Sequence, residues 1–440
     1  MEKVYIDTLG CAKNTYDSQQ LMADMIENGF EFVSDPEDAD ILIVNTCGFI
    51  DDAKTESIQR IFELVNVKND YEGRKKLIVT GCLSERYHEE LCKEMPEVDT
   101  FFGVNDYSRI PEILINCAYE QDLVGKDLDT LAYKRRFLPE GSRTAVLKIA
   151  EGCNNACAFC AIPAIRGKFR SKKMEDCIKE AKELADSGIR ELQIIAQDTS
   201  QYGRDLYGKL MLPELLRELC LIDGIEWIRL MYVYDNGITD ELIDVIANEP
   251  KICKYVDIPI QHISDNVLNR MRRQSSRDSI IKCINKLRDR IPGIHIRTTL
   301  LVGFPGETDE DVNELIEFID EMKIDRLGAF AFSDEEGTES YTMDGKLDEE
   351  TKLQRKDLVM EHQLKVSETL NEAKIGKVFE VIIDEYDGFE FYTGRTRYDA
   401  PEIDCEVSFT SDLPHEIGDI VKVRIDNAYE YDLEGEEVTE

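Results

Sequence analysis

The sequence predicts a multidomain α/β protein: an amino-terminal parallel α/β domain, a central partial (β/α)6 barrel and a small antiparallel C-terminal β-barrel. Short apolar runs alternate with segments of helical periodicity through most of the chain, which is the pattern of parallel sheets. Near the C-terminus the pattern changes to short strand-like runs separated by Gly, Pro and Asp turns. A chain of 440 residues also suggests about three domains of roughly 150 residues each.

The composition indicates an intracellular protein with a sizeable core. Hydrophobic residues make up 42% of the chain, and the sequence has no run of about 18 apolar residues that would form a membrane helix. The opening residues MEKVYIDTLGC have no basic segment followed by an apolar stretch, so no secretory signal is expected. Thirteen cysteines without an export signal favour metal ligands or reactive thiols over disulfides. We therefore expect a cytoplasmic protein with no membrane partner.

The charge balance limits the partners that the protein can have. Lys and Arg number 53 against 91 Asp and Glu, a net charge of −38. Affinity for nucleic acid depends mostly on cationic contacts, so direct nucleic-acid binding is not expected. A basic partner would instead be attracted. The alternative is that the acidic surface serves only solubility.

The amino-terminal domain, residues 1–118, has a cysteine at the C-terminal end of each predicted strand. The three strands are Lys3–Cys11, Ala39–Phe49 and Lys75–Cys82. Their cysteines, Cys11, Cys47 and Cys82, are 36 and 35 residues apart, about one strand–helix–strand unit each. Adjacent parallel strands would bring the three thiols to one edge of the sheet, where such folds bind ligands. We expect a three-thiolate iron–sulfur cluster there, although a single cysteine in this position would more often be a small buried residue.

The first helix of this domain has Leu21, Met25 and Ile26 at helical spacing. Asp17 or Ser18 is the predicted N-cap, since both residue types favour that position. A polar segment, residues 119–142, follows the domain and is predicted to be a linker.

The central domain, residues 143–345, contains the loop EGCNNACAFCAIPAIRGKFR at Glu151–Arg170. Its cysteines, Cys153, Cys157 and Cys160, follow the end of a predicted strand. A structural zinc site needs four ligands, whereas three thiolates leave one iron of a 4Fe–4S cluster open. Asn154 and Asn155 are interpreted as turn formers, and Arg166 and Arg170 as solvated side chains.

Six strand–helix repeats predict a partial barrel with its mouth at the strand C-termini. The predicted strands are Thr144–Gly152, Glu191–Ser200, Trp227–Tyr234, Tyr255–His262, Ile294–Thr308 and Arg326–Ser333.

Polar or flexible groups at these strands are candidates for ligand contacts. Gln197 and Asp198 end the second strand, although a loop-starting cap would look the same. Gln261 and His262 end the fourth, where a lone histidine is more often structural than catalytic. Arg297 lies within the fifth strand, where an arginine pairs with an acid, and a ligand carboxylate is one such acid. Gly303 opens a GFPGE turn that lets the backbone approach a ligand.

The Cys-x3-Cys-x2-Cys spacing, with Phe159 before the third cysteine, resembles the signature of radical S-adenosylmethionine (SAM) enzymes. The resemblance implies that the open iron binds SAM and that one electron cleaves SAM to a 5′-deoxyadenosyl radical. It also implies that the residues named above contact the cofactor, which are Phe159, Gln197, Asp198, Gln261, His262, Arg297 and Gly303.

The C-terminal part of the chain begins with a predicted connector helix at 346–374. Residues 375–440 then form the predicted small barrel. From Asn371 to Glu440 there are 6 basic and 20 acidic residues, a net charge of −14. Small barrels often bind nucleic acid through cationic and aromatic faces, but this charge is of the wrong sign for RNA.

The chain as a whole resembles the radical-SAM methylthiotransferases. The resemblance covers the amino-terminal cluster domain, the radical-SAM core and a C-terminal TRAM-like domain. The stretches LGCAKNTYDSQ (Leu9–Gln19), CAIPAIRGKFRS (Cys160–Ser171) and DAPEIDCEV (Asp399–Val407) look most like the branch that acts on a ribosomal protein. Cys405 departs from that pattern, in which glycine is expected, and this puts a turn of the barrel in doubt but not the chemistry.

This resemblance implies methylthiolation of the β-carbon of an aspartate in ribosomal protein S-twelve, free or on the small ribosomal subunit. The implied cofactors are two 4Fe–4S clusters, SAM as methyl donor and radical source, a sulfur donor and an external reductant, with an electron donor as partner. No catalytic side chain beyond the cluster cysteines is implied.

Three alternatives remain open at this point. A transfer-RNA methylthiotransferase would share every cluster cysteine, and a non-catalytic two-cluster electron carrier would need no SAM pocket. A radical-SAM enzyme of another reaction type would leave the amino-terminal cysteines unexplained. Six of the cysteines outside the two triads are expected to pack in the core, and these are Cys92, Cys117, Cys177, Cys220, Cys253 and Cys283.

Overall fold

The computed structural model describes residues 2–71, 74–116 and 131–438. The chain divides into two units. The first unit consists of Met1–Pro139, Lys148–Asn155 and Cys160–Glu180, and the second of Glu140–Leu147, Ala156–Phe159 and Ala181–Glu440. Cys117 and residues 119–130 of the predicted linker lie outside the described residues.

The first unit is built on a parallel sheet of five strands in the order β2-β1-β3-β4-β5. Its elements in chain order are β1 (Lys3–Thr8), α1 (Ala12–Glu27), β2 (Glu31–Phe32), β3 (Ile41–Thr46), α2 (Asp51–Asp70), β4 (Lys76–Gly81), α3 (Cys82–Arg86), α4 (His88–Glu94), β5 (Thr100–Phe101) and α5 (Ile110–Asn116). The sheet is the parallel α/β domain that the sequence predicts.

Alternation along β3 explains why this sheet has two apolar layers. Successive side chains of a strand point to opposite faces. Ile41 and Ile43 pack in one core cluster, while Leu42 and Val44 pack in another. Every residue of β3 is buried, as expected for a parallel strand with both faces covered.

The first helix begins earlier than predicted. Cys11 is the N-cap of α1, and Asp17 and Ser18 are buried residues in the middle of the helix. Ser18 accepts hydrogen bonds from Thr8 and from the Asn45 amide, at 2.7 and 2.9 Å. Its hydroxyl therefore joins the helix to two strands and does not cap the helix.

Part of the predicted linker packs on the first unit. The Phe137 N–H donates to the Gln19 carbonyl at 2.9 Å, and Lys134 pairs with Asp24 at 2.9 Å. Residues 131–139 thus belong to this unit by their contacts.

The first unit also takes the segments around the cysteine loop. They contain β7 (Ala150–Glu151), α6 (Ile162–Arg166) and β8 (Arg170–Ser171). Two further elements are shared by both units: β6 (Thr144–Lys148) reaches the first unit at its last residue, and α7 (Met174–Asp186) begins in the first unit and ends in the second. β7 and β8 form a two-stranded antiparallel sheet. Ala161 and Ile165 pack in the same core cluster as Ile41.

The second unit contains a sheet of six strands whose spatial order follows the chain, β6-β9-β10-β11-β12-β13. Its elements after α7 are β9 (Glu191–Ile195), α8 (Arg204–Tyr207), α9 (Leu212–Cys220), β10 (Trp227–Leu230), α10 (Asp240–Asn248), β11 (Ile252–Asp257), α11 (Asp265–Arg270), α12 (Arg277–Arg290), β12 (His295–Val302), α13 (Asp309–Met322), β13 (Arg326–Ala331) and α14 (Glu349–Glu372). The six predicted strands are confirmed. α14 is the predicted connector helix and packs against β13 and α13.

The fourth strand of this sheet ends earlier than predicted. The sequence predicts a strand through His262, but β11 ends at Asp257. Pro259 lies just beyond it and lacks the N–H that a ladder needs, and Gln261 has a left-handed backbone with φ 71°. Gln261 and His262 are therefore in a loop beyond the strand.

The C-terminal barrel is closed, in the order β14-β15-β16-β18-β17. Its strands are β14 (Val378–Tyr386), β15 (Phe391–Thr396), β16 (Val407–Thr410), β17 (Ile420–Ala428) and β18 (Leu433–Glu437). It is the predicted small barrel, with one difference: β16 and β18 pair in parallel, while the other pairs are antiparallel. The predicted domain boundaries at 142, 345 and 374 fall between regular elements and stay predictions.

Buried ion pairs join the C-terminal barrel to the six-stranded sheet within the second unit. Glu191 on β9 accepts from Arg229 at 2.7 Å and from Arg395 of the barrel at 2.9 Å. Arg326 on β13 donates to Asp399 at 2.6 and 2.9 Å. Throughout the described residues, each helix is too short or too polar to cross a membrane.

Candidate metal centre

The three amino-terminal cysteines follow three neighbouring strands. β1 ends at Thr8, and Cys11 comes three residues later, after Leu9 and Gly10. Cys47 follows β3 directly, and Cys82 follows β4 and begins α3. β1, β3 and β4 are adjacent in the sheet, so their C-terminal ends meet at one edge. Cys47 and Cys82 are buried and Cys11 is exposed.

Glycines at these strand ends allow the cysteine loops to approach each other. A Cβ added at Gly10 would stand 2.7 Å from the Cys47 Cβ and 2.9 Å from its sulfur. A Cβ added at Gly48 would stand 2.7 Å from the backbone of Leu83, the residue after Cys82. No side chain fits in either place, which is why the backbone turns here are made with glycine.

Asn14 ties the three loops together. Its amide nitrogen donates to the Leu9 carbonyl at 2.8 Å and to the Thr46 carbonyl at 3.0 Å, and these residues precede Cys11 and Cys47. Its amide oxygen lies 3.6 Å from the Cys82 sulfur. One fully buried side chain thus contacts all three cysteine segments.

Burial and neighbouring charges shift the pKa values of the three thiols. Burial raises the pKa of Cys82 to about 11, an increase that Arg166 limits and that negative charge on Cys11 and Cys47 reinforces. Burial also raises the pKa of Cys47. At Cys11 desolvation acts upward, but Lys13, Arg166 and the N–H groups of the first helical turn outweigh it, so the pKa is lowered.

The donor set fits a cluster better than a single ion. Among the residues that the structure describes, no group of three His, Cys, Asp or Glu side chains is placed to hold one metal ion. An iron–sulfur cluster is larger than an ion and takes thiolates at its corners, so its ligands do not converge on one point. Three thiols at one edge of the sheet suit such a cluster.

Arg166 is a central part of this edge, contrary to the prediction that it is solvated. It is 2% exposed, and its guanidinium donates to Asp17 at 2.8 Å, to Glu151 at 3.0 Å and to the Asn14 amide oxygen at 2.7 Å. The fourth contact is the Cys82 sulfur, 3.5 Å from Nη2. Asp17, predicted as a helix cap, is instead a partner of this arginine.

The second cysteine loop lies between β7 and α6. In the first unit, the Cys153 N–H donates to the Gly167 carbonyl at 3.2 Å, and the Asn155 N–H donates to the Cys153 sulfur at 3.4 Å. Asn154 accepts from the Phe169 N–H at 3.1 Å, so it braces the loop as a turn residue can. Cys153 is buried, while Cys157 and Cys160 are partly exposed.

In the second unit, Cys157 has an arginine partner of its own. The Arg273 Nη1 lies 3.7 Å from the Cys157 sulfur, and Nη2 donates to the Pro259 carbonyl at 2.8 Å. The guanidinium also lies 4.4 Å from the centre of the Tyr234 ring. Arg273 is 7% exposed, so its charge acts in a low-dielectric surrounding.

The predicted cofactor residues Phe159, Gly303 and His262 lie in one part of the second unit. Phe159 packs edge-to-face on Phe304, with ring centres 6.4 Å apart. The Gly303 N–H donates to both carboxylate oxygens of Glu307 at 2.9 Å. His262 Nε2 lies 3.4 Å from the same carboxylate.

Contacts within the protein account for the residue types at His262 and Gly303. His262 Nδ1 accepts from the Ser264 N–H at 3.0 Å, which places the imidazole proton on Nε2, toward Glu307. Gly303 has φ +78°, and a Cβ there would stand 2.5 Å from Lys352 Cγ. The close approach that this glycine permits in the structure is therefore to α14.

The remaining predicted residues lie elsewhere. Gln197 and Asp198 follow β9, and Asp198 is buried and accepts from the Ser200 hydroxyl at 2.5 Å. Gln261 bridges to β12 through backbone bonds with Thr299 and Leu301.

Arg297 lies at the other end of its strand. It is six residues before Gly303, about 20 Å along an extended strand. Its guanidinium contacts Asp257 at 3.0 Å and Asp404 at 3.4 Å. The acids that it pairs with in the structure are protein side chains, and a contact with a ligand carboxylate stays a prediction.

Comparison with known proteins gives strong similarity along the whole chain. It is 48% identical over 439 residues to the ribosomal protein uS12 methylthiotransferase RimO of Clostridioides difficile (strain 630), covering 99% of both chains. The RimO of Thermoanaerobacter sp. (strain X514) is 47% identical over 448 residues, covering 99% of this chain and 100% of the relative. The chain belongs to the RimO family of methylthiotransferases.

Family models match three parts of this RimO-family chain. Uncharacterized protein family UPF0004 matches residues 3–103, the radical SAM superfamily matches 147–319 and the TRAM domain matches 375–438. The chain is thus a radical-SAM methylthiotransferase. Membership of the superfamily implies SAM and a 4Fe–4S cluster, and the amino-terminal domain suggests a second cluster.

Solved structures support the fold of the RimO-family chain. The radical SAM methyltransferase TsrM from Kitasatospora setae matches with a TM-score of 0.58 at 14% identity, covering 75% of this chain and 73% of that one. The cobalamin-dependent SAM radical enzyme OxsB matches with a TM-score of 0.53 at 11% identity, covering 83% and 58%. At such identity the likeness concerns the fold alone.

Sequence reasoning missed the polar residues that surround the cysteines of this RimO-family chain. Lys148 and Glu151 lie in an apolar segment, TAVLKIAEG, and a charged pair in such a segment is a signal of a buried ion pair. Arg166 follows the apolar run AIPAI in the same way. Nothing in the local sequence points to Arg273, whose contact with Cys157 spans 116 residues.

Proposed function

We propose that this chain transfers a methylthio group to the β-carbon of an aspartate of ribosomal protein uS12, called S-twelve above. The observation that carries the proposal is identity of 44–48% over nearly the full length of RimO proteins. The amino-terminal triad supports it further, because an enzyme that only generated a radical would not need a second set of thiolates.

We assign one 4Fe–4S cluster to Cys11, Cys47 and Cys82, and another to the second triad, Cys153, Cys157 and Cys160. When bound, the clusters and SAM supply the radical and the sulfur chemistry, with SAM also donating the methyl group. The reaction also needs a sulfur donor and an external reductant, which makes an electron-donor protein a partner. The chain's own contribution is to hold each set of three thiolates in place.

The side chains near the second triad have positioning roles. Arg273 holds Cys157 from one side, and Phe159 and Phe304 give the loop an apolar wall. Glu307 fixes the turn at Gly303 and orients His262. We propose that Gln197 and Asp198, which follow β9, and Gln261, in the loop after β11, contact SAM. We also propose that no side chain acts as a general base.

The charge of the C-terminal barrel supports a basic protein substrate. Its net charge is −14 from Asn371 to Glu440. Glu385 near the end of β14 and Glu390 in the β14–β15 turn are both exposed. Acidic surfaces speed encounter with basic proteins and repel phosphate backbones. Because the proposed substrate belongs to the small ribosomal subunit, we infer that the reaction takes place in the cytoplasm.

A competition assay tests the proposal. Reconstituted, dithionite-reduced protein is incubated with SAM, sulfide, a uS12 peptide carrying the target aspartate and unmodified transfer RNA, and both products are analysed by mass spectrometry. We expect the peptide to gain a methylthio group in place of one hydrogen. Modification of the RNA alone would overturn the proposal, and absence of 5′-deoxyadenosine would favour an electron carrier.

A further inference from the structure

Arg166 divides its two terminal nitrogens between different kinds of partner. Nη1 donates to two carboxylates, Asp17 at 2.8 Å and Glu151 at 3.0 Å. Nη2 donates to the Asn14 amide oxygen at 2.7 Å and reaches the Cys82 sulfur at 3.5 Å. One edge of the guanidinium is thus satisfied by acids and the other faces a neutral amide and a thiol.

The acidic edge holds the arginine in place. Lys148 donates to both of the same carboxylates, at 2.5 Å to Asp17 and 2.8 Å to Glu151. The four side chains are buried, and their two positive and two negative charges cancel. A planar guanidinium fixed in this way has little freedom to turn.

The sulfur edge retains capacity for a negative charge. Asn14 is neutral, and its orientation is set by donation to the Leu9 and Thr46 carbonyls. Cys82 is buried, and a buried thiolate needs a hydrogen bond or a cation. Arg166 is the side chain that meets this need when Cys82 binds a cluster.

We propose that Arg166 is a positioning residue of the amino-terminal cluster, in which its Nη2 donates to the Cys82 sulfur and raises the cluster's reduction potential. The inference rests on the proposed function, because it requires a cluster on Cys11, Cys47 and Cys82. Hydrogen bonds to cluster sulfurs and nearby positive charge favour the reduced, more negative state. Loss of both therefore makes one-electron reduction harder.

A purely structural role for Arg166 predicts something different. If the arginine served only to neutralise Asp17 and Glu151, a variant that still folded and bound iron would keep the parent potential. Residues that orient metal ligands change the properties of the metal itself. The potential, and not the activity, therefore separates the two roles.

The experiment uses the full chain with C153A, C157A and C160A, so that only the amino-terminal cluster can assemble. The potential of this parent is measured by dithionite titration with electron paramagnetic resonance, then compared in R166Q and R166K. We expect R166Q to make reduction at least tenfold less favourable, a downward shift of about 59 mV. A lysine cannot span the acids and the sulfur together, so R166K also shifts downward.

Arg60 provides the matched control. Like Arg166 it belongs to the first unit and contacts two acids, Asp7 and Glu63, the latter 2.6 Å from Nη1. Its contacts within the part of the chain that the structure describes include no sulfur. R60Q in the same parent should keep the parent potential. If R166Q assembles no cluster, the reduction potential of R166K alone tests the proposal.

The parent protein and its variants separate failure of the proposed function from failure of the role proposed for Arg166. If the parent itself binds no cluster, the assignment of the amino-terminal triad fails. The role of Arg166 is overturned if the parent binds a cluster and R166K has the same reduction potential as the parent. The same potential is then also expected in R166Q, if that variant assembles a cluster. If R60Q shifts as much as R166Q, the effect is a general loss of charge, and the proposal also fails.

Discussion

Gly10 lies so close to Cys47 that a Cβ on the glycine would stand 2.7 Å from the cysteine Cβ and 2.9 Å from its sulfur. The two residues follow adjacent strands, β1 and β3. The space that a side chain would occupy at residue 10 is thus the space of a candidate cluster ligand. Because glycine has no side chain, Cys47 can lie against residue 10 at this edge of the sheet.

We expect G10A to prevent assembly of the amino-terminal cluster while the radical-SAM cluster still forms. Iron per reconstituted chain should fall from about eight to about four. G29A is the matched control, since Gly29 has φ +88° against +90° at Gly10 but has nothing within 4 Å of an added Cβ. Full iron content in G10A, or equal loss in G29A, would contradict the role of the close contact.

Replacing Arg273 should affect the other cluster. Its Nη1 contacts the Cys157 sulfur, and residues that orient a metal ligand typically contribute 10- to 100-fold in activity. We expect R273Q to lower 5′-deoxyadenosine formation by about 10- to 100-fold with iron at the amino-terminal triad retained. The exposed neighbour Arg272 pairs with Glu339 at 2.7 Å, so R272Q should keep the parent rate. Equal rates in all three proteins would count against a role for Arg273.

The ion pair between Asp399 and Arg326 should make stability depend on pH. Burial acts to raise the pKa of Asp399, but Arg326 and Lys374 outweigh it and lower the pKa to about 2. A depressed pKa contributes stability that is present above about pH 4 and is lost as the pH falls toward 2. The contribution is about 2 kcal/mol.

The melting temperatures of the wild type and D399N, measured by calorimetry across a pH series, test this pH dependence of stability. We expect D399N to melt at a lower temperature, with a constant difference from pH 7 to about pH 4 that narrows below it. The exposed Asp412 serves as control, and D412N should melt with the wild type. A difference that stayed constant on acidification would show that Asp399 does not titrate as described.

Acidic residues of the C-terminal barrel should govern affinity for a basic substrate. We expect E385K together with E390K to raise KM for the uS12 protein roughly three- to tenfold with little change in kcat, because exposed charges act mainly on encounter. The effect should weaken as salt is added. Two exposed acids of α13, Glu317 and Asp320, give the control pair E317K and D320K. An unchanged KM in the barrel variant would exclude this surface from docking.

Much of the fold could be predicted because periodicity and turn chemistry are local. The predicted strand Trp227–Tyr234 begins at the same residue as β10, since the apolar run that forms it is visible in the sequence. Placing Cys11, Cys47 and Cys82 at one sheet edge needed only the assumption that their strands are neighbours.

The polar residues around the cysteines could not be predicted, because their roles depend on distant partners. Asp17 looks like a helix cap until Lys148 and Arg166, over 130 residues away, are brought to it. Arg166 looks solvated for the same reason. Charged residues pair wherever the fold brings them together, and the sequence does not specify that pairing.

The central claim is that this chain modifies uS12, and the mass of uS12 in cells tests it most directly. Ribosomal proteins are compared from a strain lacking the gene, the same strain with the gene restored, and the strain restored with the C82A variant. We predict that uS12 gains one methylthio group in place of hydrogen only when the unaltered gene is present. An identical uS12 mass in all three strains would contradict the account.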